Sequence, residues 1–310
     1  MKIVITNPSG LSENHIAELQ KLGEVVTYND TNSENYAERL KDADIAVIDC
    51  FLTPVTGELL KKSPSLKFFS INSTGFDKVD ITATKNAGVV ASNVPSFSTD
   101  SVAELAIGLM FAANRKIAEG DKDFRNGLLA VDPGTPDAER YAGFNLSGKI
   151  LGVVGLGSIG TRIAEIGKGI GMNVIGYNRT EKTIPNVKNI SLEELFSKSD
   201  VVIVSLALNE QSKGIITRGL IESMKKSALF VSIAGLGLVD QDALKEALNN
   251  NKIAGAGIDT ADASFVDVKN TVLTPHVGYN THESEENMGR IITENIQAYL
   301  NGTPINKITT

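Results

Sequence analysis

Cysteine is almost absent from this sequence. Cys50 is the only one in 310 residues, so no internal disulfide can form, and a reducing, cytoplasmic compartment is the natural setting. Cys50 ends the apolar run Ile45-Ala46-Val47-Ile48-Asp49 and reads as a strand-end residue, not a nucleophile. No apolar stretch approaches bilayer-spanning length, which argues against a membrane role. Positive charge does not predominate. The 30 Lys and Arg are outnumbered by 37 Asp and Glu, which argues against a nucleic-acid-binding surface. The start, Met1-Lys2-Ile3-Val4-Ile5-Thr6 before Asn7-Pro8, is too short and too quickly broken for a signal peptide and reads as a first strand. No short internal repeat is visible, and no metal site is expected.

The length suits two domains of ordinary size, each with its own core. The most informative stretch is Val153-Val154-Gly155-Leu156-Gly157-Ser158-Ile159-Gly160. It begins in a β-branched apolar run and passes into a helical pattern, Thr161 to Ile166. In that context the glycines have separate tasks. Gly155 permits the tight turn, Gly157 lets backbone approach a pyrophosphate, and Gly160 lets the helix pack on the strand. Leu156, Ser158 and Ile159 complete the binding turn, and the helix N-terminus that follows offers N–H groups and a partial positive charge to phosphate.

The first hundred residues alternate strand and helix. Ile3–Thr6, Glu24–Tyr28, Ile45–Ile48, Phe68–Ile71 and Val89–Ser92 read as strands. Ser12 and Ser33 begin helices through Lys21 and Leu40. Ser101–Ala113 predicts a buried helix. Residues 120–148 are charged and turn-rich, the character of an arm or lid. Alternation resumes at Lys149 and continues to about Leu273, and Met288–Leu300 predicts an amphipathic helix stopped by Gly302-Thr303-Pro304. The expectation is an α/β protein with parallel sheets and helices on both faces.

Further motifs run along the chain: Gly75-Phe76-Asp77-Lys78-Val79-Asp80, Val102-Ala103-Glu104, Leu146-Ser147-Gly148-Lys149, Ser191-Leu192-Glu193-Glu194-Leu195, Ser199-Asp200-Val201-Val202, Gly237-Leu238-Val239-Asp240, Gly257-Ile258-Asp259 and Leu273-Thr274-Pro275-His276. Together with the glycine fingerprint, they resemble the D-2-hydroxyacid dehydrogenase family over nearly the full length. The resemblance implies two Rossmann-like, doubly wound domains, the cofactor domain nested in the substrate domain. The substrate domain would comprise residues 1–99 and 289–310 and the cofactor domain residues 100–288, with the active site in the cleft between them. It also implies a homodimer, with residues 120–148 as the dimer arm. Leu206, Ala207, Ser212, Ile233, Ala234 and Gly278 would join the fingerprint in binding the cofactor, and Asp259 would lie near the nicotinamide carboxamide.

The tip of the strand Asn173-Val174-Ile175-Gly176-Tyr177 bears on the cofactor. About twenty residues past the glycines, NAD users place an acid that accepts from the ribose hydroxyls and repels a 2′-phosphate. Here that position is Asn178, followed by Arg179 and Thr180, with Lys182 nearby. A guanidinium fork matches phosphate and Thr can donate to it, so NADP(H) is expected ahead of NAD(H).

His276 is the one histidine in a motif; His15 and His282 read as structural. An imidazole titrates near neutrality and can give or take a proton at a carbonyl oxygen. The resemblance assigns that task to His276, with the acid three residues after Asp259, here Asp262 and one methylene shorter than the usual Glu, as its partner. It also implies that backbone N–H groups at Thr74 and Gly75, with Ser73 beside them, bind a substrate carboxylate. One departure stands out. In Ser232-Ile233-Ala234-Gly235-Leu236-Gly237, Gly235 occupies the position where the family pattern has the Arg that holds the carboxylate and polarises the carbonyl. Two functions stay open: an NADP(H)-dependent reductase of a small, anionic 2-oxo acid or related metabolite, and a dinucleotide-binding redox sensor or corepressor-like module with little catalysis.

Overall fold

The computed structural model describes residues 1–180 and 184–309. Lys182 lies outside them. The chain forms two compact units, Met1–Ser98 with Asn280–Thr310, and Thr99–Tyr279, so the second is inserted in the sequence of the first.

The first unit contains strands β1 (Lys2–Ile5), β2 (Glu24–Thr27), β3 (Ile45–Ile48), β4 (Phe68–Ile71) and β5 (Val90–Ser92). They pair in parallel in the order β2-β1-β3-β4-β5. Between them lie α1 (Glu13–Gln20), α2 (Tyr36–Leu40), α3 (Gly57–Lys62) and α4 (Ile81–Asn86). Side chains alternate between two cores, as strands covered on both faces require. Val4, Ala46, Ile48, Phe69 and Ile71 enter one, and Ile3, Ile5, Ile45, Val47 and Phe68 the other. His15 is the satisfied histidine expected of it: its Nδ1 takes part in the capping box with Ser12, and its Nε2 is 3.3 Å from Glu286.

The second unit opens with α5 (Thr99–Asn114), α6 (Ile117–Arg125) and α7 (Pro136–Arg140). Strands β6 (Ile150–Val154), β7 (Asn173–Tyr177), β8 (Lys188–Asn189), β9 (Val201–Val204), β10 (Leu229–Ser232), β11 (Gly255–Ile258) and β12 (Thr271–Leu273) follow, with α8 (Ser158–Gly169), α9 (Leu192–Lys198), α10 (Arg218–Glu222) and α11 (Gln241–Asn249) between them. The sheet is parallel, in the order β12-β11-β10-β9-β6-β7-β8. The chain winds outward from β6 first one way, then the other, as in a doubly wound dinucleotide fold. In β9, Val201 and Ile203 face one core while Val202 and Val204 face the other.

The last helix, α12 (His282–Leu300), begins earlier than its apolar pattern suggests, because Thr281 caps it and its first turn is polar. The expected boundary at 288/289 would fall inside it. It packs on the first unit through Met288, Ile292 and Ile296, and its buried Asn295 donates to Ser70 Oγ at 3.1 Å and Asn93 O at 2.9 Å. Among the described residues, no helix is long and apolar enough to cross a membrane, and no group of three acidic, His or Cys side chains could hold a metal.

Asp200 ties the second sheet together, accepting from Ile150 N–H and Lys225 Nζ, both at 2.8 Å. Burial works to raise its pKa, but the Ile150 N–H and the Lys225 ammonium outweigh it, so the carboxyl sits below the ordinary carboxylate range. A folded pKa below the unfolded one adds stability above the unfolded value, and that stability is lost as pH falls through the folded one. Asp200→Asn is therefore expected to lower the melting temperature at neutral pH. The gap from wild type should narrow in acid, which melts at about pH 7 and about pH 3 check.

Candidate functional site

In a parallel open sheet, ligands bind beyond the carboxyl ends of the strands, at the point where the strand order reverses. Here that point lies between β6 and β9. Gly155 follows β6 with φ of +96°, and a Cβ there would lie 2.9 Å from the backbone nitrogen of Leu206. Gly157 is the N-cap of α8, and a Cβ there would meet nothing within 4 Å. At Gly160 a Cβ would sit 1.8 Å from Gly155 O and 2.7 Å from Ser205 Oγ. The three glycines thus have three distinct causes: backbone handedness, open space and close packing. The space at Gly157, beside the first turn of α8 formed by Ser158 and Ile159, fits a pyrophosphate approached by backbone.

Asn178, just past β7, holds this loop. Its Oδ1 accepts from Leu156 N–H at 3.2 Å, its Nδ2 donates to Thr180 O at 2.7 Å, and its own N–H donates to Asn189 Oδ1 at 3.1 Å. Arg179 and Thr180 are exposed, and Arg179 Nη1 donates to Gln211 Oε1. Gln211 is a contact that the sequence reading does not identify, because thirty-two residues separate the pair. Residues 155–157, 205–212, 233–240, 259–264 and 274–279, which follow β6, β9, β10, β11 and β12, contain no Lys or Arg. Ser212 Oγ donates to Ala207 O at 2.8 Å and closes the turn that carries Leu206 and Ala207.

The opposite end of this edge is organised by Asp259, at the end of β11 and 2% exposed. Its Oδ1 accepts from Thr274 Oγ1 at 2.6 Å and Val277 N–H at 3.0 Å, and its Oδ2 accepts from Gly278 N–H at 3.0 Å. His276 N–H donates to Asp259 O at 2.6 Å. The four bonds fix residues 274–278, whose centre, His276, is left-handed with φ of +57°, a conformation that costs energy unless its surroundings impose it. The exposed imidazole stands edge-on to Tyr279, with ring centres 5.9 Å apart. Gly278 is a glycine for packing reasons, since a Cβ there would lie 2.9 Å from Asp259 Oδ2. Sequence reasoning places Asp259 by the nicotinamide and misses this bracing. The motif that contains Thr274 was the available signal.

Asp262 and His276 are not joined by a hydrogen bond or ion pair among the described residues. The Asp262 carboxylate is exposed and accepts from Ser264 N–H at 2.8 Å, which caps a short 3-10 turn. Its bonds to Ser264 hold its pKa below the ordinary range.

After β10, Ile233 N–H donates to Val204 O at 3.2 Å, and Ala234 O accepts from Thr260 Oγ1 at 2.6 Å. Gly235 has ordinary φ and ψ of −58° and 134°, and a Cβ there would stand 3.4 Å from Leu208 Cδ2. The position therefore tolerates a side chain. The exposed isobutyl group of Leu208 borders it.

In the first unit, the loop after β4 is held from one side. Ser73 Oγ donates to Gly75 O at 2.8 Å, Thr74 Oγ1 donates to Val94 O at 2.8 Å, Asn93 Nδ2 donates to Thr74 O at 2.8 Å, and Val94 N–H donates to Ser73 O at 3.0 Å. The N–H groups of Ser73, Thr74 and Gly75 have no acceptor among the described residues. Three successive unpaired donors form a site suited to an anion. Phe51 flanks it: its Cζ lies 3.7 Å from where a Gly75 Cβ would be.

A family model described as "D-isomer specific 2-hydroxyacid dehydrogenase, NAD binding domain" matches residues 107–278. The chain belongs to this family. It is 34% identical to a D-3-phosphoglycerate dehydrogenase of Methanocaldococcus jannaschii over 97% of this chain but only 58% of that protein, so it spans little more than half of that relative's length. To a glyoxylate reductase of Thermococcus litoralis it is 31% identical over 97% of this chain and 94% of the other. Among solved structures, an acyclic imino acid reductase in complex with NADPH and D-Arg superposes with a TM-score of 0.90 and 31% identity, covering 99% of this chain and all of that one.

Proposed function

We propose that this family member is an NADP(H)-dependent oxidoreductase that reduces C2 of a small 2-oxo acid or related metabolite. One observation carries the reading. A single parallel sheet presents, along one carboxyl edge, an open dinucleotide cradle after β6 and a braced imidazole after β12. Gly155, Leu156, Gly157, Ser158, Ile159 and Gly160 would hold the pyrophosphate. Asn178, Arg179 and Thr180 would meet the adenosine ribose and its 2′-phosphate. Leu206, Ala207, Ser212, Ile233, Ala234, Asp259 and Gly278 would line the rest. NADPH bound there would supply a hydride. Ser73, Thr74 and Gly75 would hold the substrate carboxylate through their N–H groups, while His276 gives a proton to the carbonyl oxygen in reduction and removes it in oxidation. Asp262, whose carboxylate accepts from Ser264 N–H, is the acid assigned to orient His276.

The test is to mix the protein with NADPH and a panel of 2-oxo acids, aldehydes and ketones and to follow the absorbance of the reduced nicotinamide. Consumption of NADPH supports the reductase. Tight NADPH binding without turnover on the whole panel supports the dinucleotide-binding sensor instead, a reading that the unpaired Asp262 favours.

Residues 117–131 expose Ile117, Phe124 and Leu129, the last at 72%, and neither α6 nor α7 has a buried residue. Apolar side chains this exposed are suited to an interface, and we assign them to a homodimer. Leu129→Asp is expected to convert a dimer to a monomer in light scattering; a monomeric wild type would contradict the assignment. The buried Cys50 thiol, its pKa pushed up by burial, suits a cytoplasmic setting.

A further inference from the structure

An imidazole that passes a proton must hold one orientation while it does so, because its N–H has to lie in line with the atom it serves. The backbone at His276 and the rotation of its side chain set that aim. The backbone is fixed. Asp259 accepts from Thr274 Oγ1, Val277 N–H and Gly278 N–H through its carboxylate, and from His276 N–H through its carbonyl, with His276 at φ of +57°. Hydrogen bonds do not fix the ring. Neither ring nitrogen of His276 has a hydrogen bond or ion pair among the described residues, and the Asp262 carboxylate accepts from Ser264 N–H.

The side chain that does meet the imidazole is Tyr279. The two ring centres are 5.9 Å apart and the ring planes stand at 83°, the T-shaped arrangement that aromatic pairs favour. Tyr279 follows the same braced turn. Gly278 before it is bound to Asp259 Oδ2, and a Cβ at Gly278 would lie 2.9 Å from that oxygen and 3.2 Å from Leu105 Cδ2. One carboxylate thus anchors the backbone next to both rings. Tyr279 is 42% exposed and its hydroxyl has no partner among the described residues, so neither burial nor hydrogen bonding accounts for a tyrosine here.

We propose that Tyr279 is the positioning residue of His276: its ring limits rotation of the imidazole to the orientation from which the proton is passed. The ring does this, not the hydroxyl. The inference rests on the oxidoreductase reading above and adds to it the group that aims the imidazole. Asp259, His276, Gly278 and Tyr279 all belong to the second unit, so the device is complete within it.

Tyr279→Leu is expected to lower kcat about three- to tenfold, the rate equivalent of one aromatic pair, with KM for the 2-oxo acid and the dissociation constant for NADPH within about twofold of wild type. Tyr279→Phe keeps the ring and is expected to keep kcat. Both variants should melt with the wild type, because the ring lies at the surface. In His276→Ala, adding Tyr279→Leu is expected to change kcat no further, since a residue that acts through the imidazole then has nothing to act on. Proton NMR gives a readout without turnover. The chain has three histidines, and the ring signals of His276 are those missing from His276→Ala. They are expected to shift in Tyr279→Leu, which removes the neighbouring ring current, and to stay in place in Tyr279→Phe. Undiminished kcat or unmoved signals in Tyr279→Leu, a loss of kcat in Tyr279→Phe, a rise in KM in place of a fall in kcat, or an equal loss with and without His276 would each overturn the positioning role and leave the oxidoreductase standing. Undiminished turnover in His276→Ala would overturn the role of the imidazole as well.

Discussion

Replacing His276 by alanine is expected to cut turnover of the best 2-oxo acid by about a hundred- to ten-thousandfold, the range by which a positioned acid–base group accelerates proton transfer. That range corresponds to about 3–5 kcal/mol of transition-state stabilisation. The dissociation constant for NADPH should stay within about threefold of wild type, because the imidazole belongs to the turn after β12 and the phosphate cradle to the loop after β6. Asp259→Asn should reproduce part of the kcat loss. The new Nδ2 would face either Val277 N–H or Gly278 N–H, donor against donor, and would release a backbone that is left-handed at His276. Steady-state kinetics and NADPH titration of both variants check this. Turnover in His276→Ala within about threefold of wild type would remove the imidazole from the reaction.

The second large effect separates two glycines that look alike in sequence. Gly160→Ala places a methyl 1.8 Å from Gly155 O, and both groups are backbone-fixed, so α8 must move off β6. Overpacking of this kind costs about 1–3 kcal/mol or more, which lowers a melting temperature by several degrees in a unit of this size. Displacing the helix N-terminus should also weaken NADPH binding at least about tenfold. Gly157→Ala is expected to melt with the wild type, since its methyl enters open space, yet to lose at least about tenfold in NADPH affinity if that space takes the phosphate as proposed. Differential scanning fluorimetry and calorimetric titration of the pair distinguish the outcomes. Full affinity in Gly157→Ala would place the pyrophosphate elsewhere.

Much of the architecture was legible because its causes are local. Val201 to Val204 is apolar throughout, as a strand covered on both faces must be, and Gly155-Leu156-Gly157 between a β-branched run and a helix admits few alternatives. Ends set by polar caps were less visible. The apolar pattern of α12 begins at Met288 while Thr281 starts the helix, and α2 begins after Asn35, not at Ser33. At the site, sequence motifs pick out Asn178, Asp259 and His276 as positions but not as partners. The Asn178–Leu156 bond crosses twenty-two residues, and the Asp259 bonds to Thr274, Val277 and Gly278 cross the connection from β11 to β12. Such contacts exist only once the sheet sets its register. Asp262 shows the converse. Its spacing from Asp259 suggests a partner for His276, whereas its carboxylate lies two residues from a free backbone N–H at Ser264 and takes that local bond instead.

We propose that the end of β7 reads a 2′-phosphate, because Asn178 presents no carboxylate there and the exposed Arg179 follows it. Isothermal titration of the unmodified protein with NADPH and with NADH decides between the two coenzymes. A charge-assisted Arg–phosphate contact predicts NADPH binding tighter by about ten- to a hundredfold, with the difference largely lost in Arg179→Ala. Equal affinities, tighter binding of NADH, or no binding of either coenzyme would rule out a 2′-phosphate site at Arg179.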